Sequence, residues 1–142
     1  MGLRDTIKGK RVYFDANIFI YLTEGFPSLV QSLRDIRDSI YHGESKICTS
    51  ELTLCEALVP AFRADNTGLL MLYRRFMEER GAFELIPTTR EIYIRASLFR
   101  AQIGLKTSDA SHVSSAVAFE CKVFLTNDRN LKAPKDMNVV HI

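Results

Sequence analysis

RVYFDANIFIYL, residues 11–22, opens with a short β-branched and aromatic run, ends that run on an acid at Asp15, and passes at once into apolar residues with helical potential. It reads as a strand that delivers a carboxylate to its own carboxyl end and then hands the chain to a helix. Downstream the alternation repeats. Leu29, Leu33, Ile36 and Ile40 fall at i, i+4, i+7 and i+11, which predicts an amphipathic helix over residues 28–41 with Gly43 as its stop. KICTS, residues 46–50, predicts a second strand. Thr49 or Ser50 is placed to cap a helix through Glu56 to about Phe62, with Pro60 limiting its regularity. After a helical stretch over residues 67–79, FELIP, residues 83–87, predicts a third strand, and Thr88 or Thr89 can cap a helix that carries Ile92, Ala96, Phe99 and Ile103 and ends at Gly104. Thr107 or Ser108 can cap a helix of small residues from Asp109 to about Glu120, in which Ala110, Val113, Ala116 and Val117 suit close packing on a sheet. KVFLTND, residues 122–128, and NVVHI, residues 138–142, predict the last two strands. Short strands alternating with helices imply an α/β fold with a parallel sheet covered on both faces.

The length of 142 residues fits a single domain over residues 1–142. Apolar residues at 46% and charged residues at 25% are those of a globular chain, and no low-complexity tract or repeat interrupts it. Net charge is +2, too small for nonspecific coating of nucleic acid but compatible with a local basic rim. Cys48, Cys55 and Cys121 are odd in number, sit in apolar stretches and lack C-x-x-C spacing, which points to packing roles in a reduced, cytoplasmic setting. Glu51, Glu56 and Pro60 break the most apolar stretch well short of the ~20 residues a bilayer demands, so no membrane partner is expected. The first residues lack the apolar core of a secretory signal, and Gly2 and Thr6 match a myristoylation pattern loose enough to arise by chance. Scattered glycines exclude a Walker A loop and G-x-G-x-x-G.

An open parallel sheet gathers function at the carboxyl ends of its strands. Asp15 closes the first strand, Asp128 follows the fourth, Glu56 lies early in the helix leaving the second, and Asp109 opens a helix whose start returns to the same edge. Singly, Asp15 and Asp109 have ordinary uses at helix starts and Asp128 in an Asx turn, while Glu56 stands alone among apolar neighbours in LTLCEALVPA. Carboxylates ~4 Å apart repel by about 4 kcal/mol at an effective dielectric near 20, so such a cluster protonates or holds a cation. With oxygen donors only, and no metal-ligand pairing among His42, His112 and His141, the cation is Mg²⁺ or Mn²⁺ and not Zn²⁺. His112 reads as a core or surface residue that only its place three positions after Asp109 brings near the acids. Tyr13, Phe14, Phe19 and Tyr21 read as core or dimer surface. Arg100, Lys106, Arg129 and Lys132 border the acids and are candidates to grip flanking phosphates, although a solvated basic face is the ordinary use of such residues.

VYFDANIFIY, TSELTLCEAL, LKTSDASHVSSA and VFLTNDRNL, carrying Asp15, Glu56, Asp109 and Asp128 in that order, resemble the PIN domain ribonucleases, and among them the VapC-like toxins of toxin-antitoxin pairs. The resemblance spans nearly the whole chain. It implies an α/β/α sandwich with four or five parallel strands, Mg²⁺ or Mn²⁺ bound by those four acids, and hydrolysis of RNA. It also implies homodimers, a cognate antitoxin, and Asn17, Thr126 and Asn127 as supporting polar groups. Many members carry a further acid two positions after the last one, where this chain has Asn130.

Two other classes compete. A PIN scaffold that only binds RNA or a protein would keep the fold without turnover. A receiver-like phosphoacceptor domain also places acids at strand ends, but needs its acceptor on the middle strand, and FELIPTT supplies no Asp there.

Overall fold

The computed structural model describes residues 2–78 and 83–142. Among them the chain order is α1 (Leu3–Ile7), β1 (Arg11–Phe14), α2 (Ala16–Glu24), a 3₁₀ turn, α3 (Val30–Tyr41), β2 (Lys46–Ser50), α4 (Glu51–Arg63) and α5 (Thr67–Glu78). Then follow β3 (Glu84–Ile86), α6 (Arg90–Ile103), α7 (Thr107–Ala118), β4 (Val123–Thr126) and β5 (Asn138–His141). The expected end of the fifth helix at Glu79 lies outside the described residues. No described helix is long and apolar enough to cross a membrane.

The strands form one sheet in the order β3-β2-β1-β4-β5, every neighbouring pair parallel. The chain steps outward from β1 to β2 and β3, then returns to the other side of β1 for β4 and β5. The reversal between β1 and β4 opens a crevice at their carboxyl ends. FELIP is therefore an edge strand and not the middle one, and its missing acid says nothing about a phosphoacceptor; the middle strand is β1, which does lead to Asp15. The receiver reading fails instead on topology, because that fold runs 2-1-3-4-5.

Alternation along the strands divides the core. Tyr13, Cys48 and Phe124 pack against Ile92, Ala96 and Phe99 of α6 and Ala110, Val113 and Ala116 of α7. Val12, Phe14, Ile47, Val123 and Leu125 pack against Ile7, Ile18, Leu22, Leu33 and Ile36. Helices thus cover both faces, giving the three-layer α/β/α arrangement expected. A third cluster of Phe19, Ala57, Tyr73 and Met77 ties α2 to α4 and α5 beside the crevice.

Candidate active site

Asp15 is the hinge between β1 and α2. Its backbone N–H still pairs with the Leu125 carbonyl at 3.0 Å, so the sheet holds it, while its extended φ and ψ turn the chain into the helix. The side chain is buried. Oδ1 accepts from the Ala16 N–H at 2.8 Å; Oδ2 accepts from the Thr126 hydroxyl at 2.7 Å and the Asn17 amide at 3.4 Å. Donors aimed at both oxygens fix the carboxylate and leave lone pairs for one more partner.

The loop after β4 is bound to the same residues. The Asp128 N–H donates to Thr126 Oγ at 3.0 Å, the Asn127 N–H donates to Asn17 Oδ1 at 3.1 Å, and Asp128 Oδ1 accepts from the Asn130 N–H at 2.9 Å. His141, at the end of β5, donates from Nε2 to the Asp128 carbonyl at 3.0 Å. Asp128 is thus an Asx-type turn residue and a neighbour of Asp15 at once.

Asp109 lies in the first turn of α7 and is half-buried. Burial raises its pKa most; Asp15 and Asp128 raise it further, while Lys106 and His112 pull it down. Asp15 and Asp128 are therefore both within Coulombic reach of Asp109. Glu56 arrives by another route. It sits on α4, its side chain 38% exposed, and touches the acid group through His112, whose Nε2 lies 2.8 Å from Glu56 Oε1 and 3.9 Å from Asp15 Oδ1. Only the shorter is a hydrogen bond. His112 is 1% exposed and its Nδ1 lies 2.6 Å from the Tyr13 hydroxyl, which in turn lies 2.8 Å from Ser50 Oγ. Burial pushes the Tyr13 phenol well up, so it stays protonated.

From the sequence His112 is a core or surface residue near the acids, Tyr13 core or dimer surface, Ser50 a cap candidate and His141 a histidine without metal-ligand pairing; none is given the contacts it makes at the site. The i, i+3 spacing from Asp109 was the one available signal for His112; the others depend on strand neighbours that periodicity does not reveal. Arg100, Lys106, Arg129 and Lys132 are all exposed: Lys106 is the N-cap of α7 beside Asp109, Arg129 follows Asp128, Lys132 lies in the same loop, and Arg100 is in the last turn of α6.

Hard oxygen donors and mutual repulsion are what a divalent cation of the Mg²⁺ class relieves, so the donor set fits such an ion. Among the described residues no three His, Cys, Asp or Glu side chains stand close enough together to grip it at once.

A profile of the PIN domain matches residues 12–136. No curated protein sequence matches the chain. Among solved structures, the chain is similar to VapBC2 from Rickettsia felis bound to a DNA fragment from their promoter, with a TM-score of 0.72 and 14% identity over 93% of this chain and 98% of that one. A toxin-antitoxin complex from Klebsiella pneumoniae gives 0.65 and 22% over 91% and 95%. Mycobacterium tuberculosis VapC20, a sarcin-ricin loop cleaving toxin, gives 0.65 and 10% over 84% and 92%.

Proposed function

Because this chain belongs to the PIN domain family, we propose that it is a Mg²⁺- or Mn²⁺-dependent endoribonuclease that hydrolyses RNA phosphodiester bonds as the toxin of a toxin-antitoxin pair. The observation that carries the reading is that Asp15 and Asp128 lie within Coulombic reach of half-buried Asp109, beside a carboxylate of Asp15 already held by Thr126, so that Asp109 carries a disadvantage a cation would relieve. When bound, the ion would neutralise charge at the scissile phosphate and acidify a water.

The chain's own residues do the rest. Asp15, Asp109, Asp128 and Glu56 would hold the ion. Asp15 offers a carboxylate already fixed by Thr126, Asn17 and its own helix start, so little ordering is left to do on binding. Thr126 and Asn17 keep Asp128 in register with it. Glu56 would bind the ion or orient the attacking water. Arg100, Lys106, Arg129 and Lys132 would bind flanking phosphates.

The partners proposed are RNA, a cognate antitoxin protein and a second copy of the chain, in the cytoplasm, with residues 1–142 acting as one domain. The similarity to toxin-antitoxin complexes supports the antitoxin.

The test is direct. Purified protein is expected to cleave RNA with Mg²⁺ or Mn²⁺, to stop with EDTA, and to lose turnover on Asp15→Asn. Cleavage that survives both chelation and Asp15→Asn would overturn the reading; RNA binding with no cleavage under any metal would favour a silent binding module.

A further inference from the structure

We propose that His112 is the positioning residue for Glu56, presenting its carboxylate to the crevice through Nε2 while the Tyr13 hydroxyl locks the ring from behind. The inference rests on the nuclease reading of the same site. Its basis is a continuous chain of short contacts: Glu56 Oε1 to His112 Nε2 at 2.8 Å, His112 Nδ1 to Tyr13 Oη at 2.6 Å, and Tyr13 Oη to Ser50 Oγ at 2.8 Å. It crosses four elements, α4, α7, β1 and the end of β2, from a half-exposed carboxylate to a fully buried phenol.

Chemistry sets the direction of each contact. A carboxylate only accepts, so Nε2 donates to Glu56. The Tyr13 hydroxyl has one proton, so it either accepts from Nδ1–H while donating to Ser50, or donates to Nδ1 while accepting from the Ser50 hydroxyl. Ser50 closes the chain in either case, and no described buried side-chain N or O is left without a partner. The ring itself cannot wander, because it is buried and packs edge-on against Tyr13, with centroids 5.7 Å apart at 64°. Glu56 has no such restraint of its own. A glutamate on the rim of a cleft has several rotatable bonds, and fixing it by one buried donor removes that freedom before substrate arrives. Asp15 lies just beyond hydrogen-bonding reach of the same ring nitrogen, at 3.9 Å.

The experiment combines kinetics with NMR. His112→Leu, still folded by circular dichroism, is expected to lower kcat by about 10- to 100-fold, the usual penalty for losing an outer partner of a site residue, with KM within about twofold of wild type. His112→Gln keeps an N–H donor near the Nε2 position and is expected to recover to within about fivefold of wild type. In metal-free protein, Glu56→Ala is expected to move the ring ¹⁵N resonances of His112 and leave those of His42 in place, and Tyr13→Phe to move the Nδ1 resonance of His112. A folded His112→Leu that cleaves like wild type, a folded His112→Gln as impaired as the leucine variant, or a Glu56→Ala protein with unmoved His112 resonances would each overturn the proposal. Should His112→Leu fail to fold, His112→Gln and the NMR comparison decide. Wild type that cleaves no RNA would overturn the nuclease reading, and the resonances would then decide the pairing alone.

Discussion

Asp109 is held between opposing influences. A carboxylate in the first turn of a helix gains from the helix N-terminus, yet burial, followed by Asp15 and Asp128, raises its pKa against the pull of Lys106 and His112. Asp109→Asn is expected to raise metal-free stability by roughly 0.5–1 kcal/mol, the scale of a charge interaction screened by solvent, while abolishing cleavage. The sign with pH follows from the raised pKa. The penalty is present above the folded-state value and absent below the unfolded-state value, so the advantage of the variant shrinks as pH falls from neutral through the carboxylate range. Urea melts of both proteins at neutral and acid pH check this; an advantage that grows on acidification contradicts it. Mg²⁺ at 100 times its dissociation constant is expected to stabilise wild type by about 2.7 kcal/mol and the variant by less. Because Asp109 makes no side-chain cap at this helix, Asp109→Ala tested alongside isolates the lost ligand; equal metal-induced stabilisation in all three proteins would show that Asp109 does not bind the ion. At this scale the three aspartates were legible in the sequence, since each ends a strand or starts a helix. His112 was not. Burial and a partner 56 positions away decide its role, and neither is written in local spacing.

Helices and strands fell near their expected residues, and their termini show what local patterns omit. Thr89 caps α6 by accepting from the Ile92 N–H, and Gly104 ends that helix in the left-handed region at φ 81°, both as the sequence suggests. The hydroxyls expected to cap α4 do other work: Thr49 donates to the Phe14 carbonyl and pairs with Thr53, and Ser50 takes the Tyr13 hydroxyl. Helix α7 starts at Thr107 itself with Lys106 as its uncapped N-cap, so neither Thr107 nor Ser108 caps it. Strand–strand demands outrank capping where hydroxyls stand at a strand end. The thiols divide in the same way. Thr53, Ala57 and Ala61 form the buried face of α4, which turns Cys55 to solvent despite its apolar neighbours, whereas Cys48 and Cys121 are buried. An alkylating reagent is expected to modify Cys55 alone in the folded protein and to leave RNA cleavage unchanged, with the other two thiols reacting only after denaturation. Mass spectrometry of the labelled protein beside its cleavage rate checks this, and loss of turnover in a folded, singly labelled sample would contradict it.

Across the whole molecule, the order of strands was the feature least legible in the sequence. Periodicity tells a strand from a helix and says nothing about which strands are neighbours, so β3 could pass for a middle strand although it lies at the edge. Charge behaves likewise: a net +2 hides the placing of exposed Lys106 and Arg129 beside the acids. Replacing both with Ala is expected to raise KM several-fold with little change in kcat and to flatten the log–log salt dependence of RNA binding by about 1.4, two phosphate contacts on a single strand. Titrations at several salt concentrations measure the slope; an unchanged slope would remove both residues from the RNA path. The central place of β1 has a further consequence, in the order of biosynthesis. Asp15 is made 111 positions before Thr126, whose hydroxyl fixes it. A chain still emerging from the ribosome has its first strand without its β4 neighbour, and its first carboxylate without Thr126 or Asp128. An unfinished chain therefore lacks the set of acids proposed to hold the metal, and only completion of β4 and its loop brings that set together.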